Sequence, residues 1–92
     1  MSTRFVYVYF MAGDPTRVRN AAPSHTAHWQ GLRLREYRGG PFADRTGGLI
    51  TFVVDQPAQA EAAVAGDPFV REGLLERSWL KEWEPVAVDS AV

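Results

Sequence analysis

The sequence predicts an α+β domain with the element order β-α-β-β-α-β. Three observations carry that expectation. Strand-length runs at 4–11, 32–39, 49–54 and 74–83 are bounded by Gly, Pro and Asp turn signals. The two long stretches between them open on Asp followed by an early Pro and close on Gly, the punctuation of helices. A chain of 92 residues has room for one domain, 1–92, and for no second core.

The first strand, 4–11, reads Arg-Phe-Val-Tyr-Val-Tyr-Phe-Met and is apolar at odd and even positions. A strand with one wet face alternates, so both faces of this one are expected to be covered. Asp14-Pro15 opens the first helix, with Asp as cap and Pro in the first turn. Pro23 is expected to break that helix and leave a main piece at 24–31, stopped by Gly31. In the second strand Leu32 and Leu34 share one face and Arg33 and Arg35 the other, until Gly39-Gly40-Pro41 ends it.

A polar turn, 42–48, leads into the third strand. Asp55 is expected to cap the second helix, where Ala60, Ala63 and Val64 form a thin apolar stripe that lets it sit close to the sheet. Gly66 ends that helix, and Asp67-Pro68 starts a short helical turn at 68–72. The fourth strand puts Trp79 and Trp83 on one side and Leu80 on the other, and the tail, 87–92, is expected to fray.

This order folds as a four-stranded antiparallel sheet with both helices on one face, the ferredoxin-like arrangement. Tyr7, Tyr9, Phe52, Trp79 and Trp83 cannot all lie under the helices. An exposed apolar sheet face of that size associates. A homodimer joined sheet to sheet, as a closed dimeric α/β barrel, is therefore expected.

Bulk properties narrow the partners. Net charge is −1, with both signs scattered, which argues against a nucleic-acid footprint. The absence of Cys excludes a disulfide framework or a thiolate metal site. The apolar run from Phe5 to Ala12 is far too short to cross a membrane and lacks the flanks of a signal peptide. The cytoplasm is the expected location.

Three anchors, in this order, resemble the YCII (YciI-like) family of small α/β-barrel proteins. They are His25-x-Ala27-x-Trp29-Gln30, then Gly40-Pro41 with Asp44 shortly after, then Asp67-Pro68-Phe69 leading to Gly73-Leu74-Leu75. The resemblance runs from Tyr7 to Val86. It implies a His on the first helix facing a pocket at one end of the sheet, used together with an Asp, and for some members dehydrochlorinase or similar lyase chemistry. On it, His25 is the counterpart of the family histidine, and His28 stands where a subgroup carries a basic residue. Asp44 matches an acidic position after the Gly-Pro.

The residues themselves bear more than one reading. His25 is the candidate general acid or base, with Asp44 to orient its ring. His28 shares its helix face, but two histidines alone do not make a metal site, and none is expected. Asp44 also suits its turn on conformational grounds, and Asp67 is explained as an N-cap while lying near the pocket by resemblance. Phe69 belongs to the core with an edge on the pocket, and Tyr7 and Tyr9 offer hydroxyl donors to a substrate oxygen. Arg35, with Arg33 and Arg38, suits either a carboxylate or enolate ligand or the protection of an edge strand. The leading expectation is a small enzyme without cofactor that moves a proton on a carbonyl or aromatic compound. A cofactorless oxygenase of polyketide-like aromatics, or a non-catalytic dimeric ligand-binding module, are the alternatives.

Overall fold

A computed structural model describes residues 2–86; the tail expected to fray, 87–92, lies outside them. The elements are β1 (Thr3–Met11), α1 (Pro15–Gly31), β2 (Arg35–Pro41), β3 (Gly47–Val54), α2 (Pro57–Ala65), α3 (Pro68–Arg71) and β4 (Leu75–Glu82). The strands form one antiparallel sheet in the order β2-β3-β1-β4, the ferredoxin-like arrangement. Among the described residues no helix is long and apolar enough to cross a membrane.

The central strand has two apolar faces, as its composition requires. Phe5, Tyr7 and Tyr9 of β1 are buried under the helices, beside Phe52, Ile50 and Gly48 of β3. Trp29 of α1 packs on both Tyr7 and Phe52, and Ala60 and Ala63 bring α2 in close. The intervening Val6, Val8 and Phe10 face the other way, where Leu49, Trp79 and Trp83 stay 39–45 % exposed. Among the described residues no helix covers that face.

Helix α1 starts as the sequence indicates, with the Asp14 carboxylate accepting from the N–H groups of Thr16 and Arg17, each at 3.2 Å. Pro23 does not break it; one helix runs from Pro15 to Gly31. A proline here forfeits one backbone bond, at a cost of about 3 kcal/mol. Both halves bury side chains on the same sheet, Ala21 before the proline and Trp29 after it, and that shared burial offsets the loss.

Strand β2 begins at Arg35, three residues later than the sequence suggests. Helix α1 uses Leu32 as its C-terminal cap, and Arg33 turns the chain with φ +50°. A bulge follows at Glu36, φ +51°, so Arg35 pairs with Val53 and Arg38 with Thr51. The extra residue puts Arg35 and Arg38, three apart, on the same open face.

Asp55 does not cap α2. The Gln59 side-chain oxygen accepts from the N–H groups of Asp55 and Gln56 at 2.9 and 2.8 Å, while the Asp55 carboxylate pairs with Arg35. Helix α3 is tied to α1 by Arg17, whose Nη2 donates to the Glu72 carbonyl at 3.1 Å.

Candidate active site

The site is built around Asp67. Pro68 occupies the first turn of α3 and keeps Asp67 out of helical geometry, at φ −65° and ψ 126°. From that position its carboxylate caps α3, Oδ1 accepting from the Phe69 N–H at 2.9 Å. The side chain is completely buried. Such a carboxylate needs further donors, and α1 supplies them. His25 and Trp29 stand four apart and share a helix face. His25 Nδ1 lies 2.9 Å from Oδ1 and 3.0 Å from Oδ2, and Trp29 Nε1–H donates to Oδ2 at 3.0 Å.

These bonds decide the charge of the group. Burial by itself would raise the carboxyl pKa; hydrogen bonds from His25, Trp29 and the Phe69 backbone outweigh it and hold Asp67 below its ordinary 3.8. An ionised Asp67 accepts only, so the proton on His25 resides on Nδ1. The neutral ring then presents Nε2 as a lone-pair nitrogen, 3.3 Å from the Tyr9 hydroxyl, which can donate to it. The imidazole lies flat on Phe69, with centroids 4.1 Å apart at 16°. Its orientation is thus fixed from below by Phe69, from behind by Asp67 and at its tip by Tyr9. Gly48 makes the space for this: a Cβ there would sit 2.3 Å from the Tyr9 hydroxyl.

His25, Tyr9 and Phe69 open on a cavity of about 800 Å³ between α1, the C-terminal half of β1 and the β2–β3 hairpin. Gly40 and Pro41 form part of its wall. The same segment, Gly39 to Pro41, also borders a second concavity of about 650 Å³ that includes Arg4, Arg38, Leu49 and Trp83 of the open face.

Four expected site residues stand elsewhere. Asp44 does not meet His25: it is exposed, and its Oδ1 accepts from the N–H and hydroxyl of Thr46, folding its own turn. The carboxylate that meets His25 is Asp67. His28 turns to α2, where its Nε2 lies 2.7 Å from the Ala63 carbonyl and satisfies a C-terminal group of that helix. Gly66 admits it, since a Cβ there would come within 2.8 Å of the ring. Arg35 is held by Asp55 and Ser2 on the protein surface.

Tyr7 lies sealed beneath Trp29, and its hydroxyl has no hydrogen-bond partner among the described residues. Burial, then the charge of Asp67, push its pKa up to about 12, a little offset by nearby Ser78. The tyrosine on the cavity is Tyr9, with Tyr37 from β2 as a second; burial and the Asp67 charge raise both pKa values and keep both hydroxyls protonated. Tyr37 escaped sequence reasoning because the bulge at Glu36 resets which face it takes. The His25-to-Trp29 spacing was the available signal for Asp67.

The molecule is thus a small ferredoxin-like α+β domain whose first helix sets a histidine on a buried aspartate beside a cavity. The YCII-related domain family matches residues 6–84, and the chain belongs to that family. Among curated proteins none matches the sequence.

Solved structures with the same fold include 5-chloro-2-hydroxyhydroquinone dehydrochlorinase from Burkholderia phenoliruptrix in complex with 2,5-dihydroxybenzoquinone. Its TM-score is 0.75 at 20 % identity, over 91 % of this chain and 94 % of that one. An antibiotic biosynthesis monooxygenase aligns with TM-score 0.67 at 11 % identity, over 95 % and 100 %. SnoaB, a cofactor-independent oxygenase from Streptomyces nogalater, aligns with TM-score 0.57 at 12 % identity, over 97 % and 98 %. At these identities the likeness is one of fold.

Proposed function

We propose that this protein is a cofactor-independent enzyme in which His25 Nε2 exchanges a proton with a small carbonyl-bearing or aromatic compound. The observation that carries the reading is the placement of the ring: His25 Nδ1 lies 2.9 Å from the Asp67 carboxylate, and Nε2 stands at the cavity beside the Tyr9 hydroxyl. Asp67 acts as a positioning residue and would stabilise the imidazolium formed when Nε2 takes a proton. The Tyr9 hydroxyl would then turn from Nε2 to the substrate oxygen on which charge develops.

Elimination fits this arrangement. His25 takes a hydroxyl or carbon-bound proton, the freed electron pair enters the ring or chain, and a halide departs with its bonding pair. Isomerisation and ring closure need the same base. The dehydrochlorinase of like fold favours elimination as the first reaction to assay. Trp79 and Trp83 lie on the open face, away from His25, so they offer no seat for a flat ring beside it.

We further propose that the protein works as a homodimer, sheet to sheet, in the cytoplasm. The uncovered face with Val6, Val8, Phe10, Trp79 and Trp83 supports the pairing.

The test is halide release from chlorinated hydroxyhydroquinones. With His25→Ala, turnover is expected to fall about 100-fold or more. Turnover equal to wild type overturns the assignment of His25, and oxygen uptake in place of halide release would favour the oxygenase reading.

A further inference from the structure

The cavity is chemically lopsided. At its inner end stand the His25 imidazole and the neutral hydroxyls of Tyr9 and Tyr37. At its mouth stand two guanidiniums from different walls, Arg19 of α1 and Arg45 of the β2–β3 hairpin. Both are exposed, and neither has a carboxylate partner among the described residues, whose ion pairs are Arg4 with Glu36, His25 with Asp67 and Arg35 with Asp55. Among the described residues the Arg19 side chain makes one hydrogen bond, to Thr16 Oγ1 at 3.5 Å. Arg45 is held on the hairpin in left-handed backbone geometry, φ +64°, which a β-substituted residue adopts at a cost of about 1 kcal/mol. The single acid on the lining, Asp14, is committed to the amides of Thr16 and Arg17 as the cap of α1.

We propose that the cavity selects a small anionic acid, its carboxylate held between Arg19 and Arg45 at the mouth and its reactive oxygen delivered to Tyr9, Tyr37 and His25 at the inner end. This rests on the proposed function and supplies its substrate class: a hydroxylated aromatic or enone acid, in preference to a neutral phenol or quinone. Guanidinium groups suit this task because each offers a planar pair of N–H donors to a carboxylate. The carboxylate or enolate that is one of two readings of Arg35 is thus assigned to two other arginines, since Arg35 is occupied by Asp55.

A ligand titration followed by NMR separates this inference from the reaction itself. The probes are 2,5-dihydroxybenzoate and its amide, which differ in charge and little in shape. His25 ring resonances report occupancy of the inner end for either one. Wild-type protein is expected to bind the acid about tenfold more tightly than the amide, with the gap closing as salt rises. Arg19→Gln with Arg45→Gln should bring the acid down to the level of the amide and leave the amide unchanged. Equal affinities for acid and amide in the wild type overturn the anion preference and leave the role of His25 standing. A preference that survives in the double variant overturns the assignment to these two arginines. The wild-type comparison needs no variant to fold.

Discussion

Asp67 and His25 show how one residue can answer to two demands. The Asp-Pro step reads as a helix cap, and it is one; the same carboxylate also takes both ring donors that α1 presents. Asp67→Asn keeps the shape but sets an NH₂ against one of those N–H donors. An unsatisfied buried donor costs about 1–3 kcal/mol. For a domain of this size each kcal/mol lowers Tm by about 4–8 °C, so calorimetry should register the change clearly.

The pH dependence follows in sign. The folded-state pKa of Asp67 lies below its ordinary 3.8, so its stabilisation is fully present above that value and is lost as pH falls through the folded-state value. Denaturation curves of wild type and Asp67→Asn should therefore converge in strong acid. In ¹⁵N spectra of the wild type, His25 should show a protonated Nδ1 and a lone pair on Nε2, and the variant should lose that bias.

The tyrosines titrate the other way. All three are raised by burial first and by Asp67 second, Tyr7 to about 12. Their neutral forms stabilise the fold below pH 10, and that contribution is lost as pH rises through the folded-state values. Tyr7 and Tyr9 should contribute no tyrosinate absorbance at pH 10, and their signal should appear together with alkaline unfolding.

At the scale of elements, the sequence made every strand and helix legible, because each carries local turn and cap chemistry. What it hid were the places where packing overrules that chemistry. Pro23 is one. Position 23 gives no amide to α1, and the helix persists because Ala21 and Trp29 are buried on either side. Pro23→Ala should then stabilise the protein, by about 1–3 kcal/mol, through the restored bond. A fall in stability would mean that the proline serves the packing of α1 and is no defect tolerated by it. The bulge at Glu36 is the second place. It inverts the arginine pattern of β2, and nothing in the run Arg35-Glu36-Tyr37-Arg38 announces a left-handed residue.

The partner of His25 was lost for a related reason. Asp44 and Asp67 both precede or occupy turns, so local chemistry accounts for either one. Which of them meets α1 depends on α3 docking beneath it, a contact across 42 residues of chain.

At the scale of the molecule, the sheet has one face under helices and one face of Val, Phe, Leu and Trp in water. Arg77 lies over both Phe10 and Trp79, at 4.9 and 5.6 Å from their ring centroids, and keeps part of that face polar at its rim. Burying such a face against a second copy is favourable at about 25 cal/mol per Å² of apolar area, before the cost of association is subtracted. Sedimentation at micromolar concentration should show a dimer, and Trp79→Glu should shift the population to monomer. A wild-type monomer at that concentration would refute the pairing.

The strand segment Gly39 to Pro41 borders a hollow on each side of the sheet. Whatever settles against the open surface leans on the rear of the cavity that His25 borders. Subunit separation and ligand release should therefore be thermodynamically linked: diluting the protein would loosen its grip on a bound acid while the helices and strands remain intact.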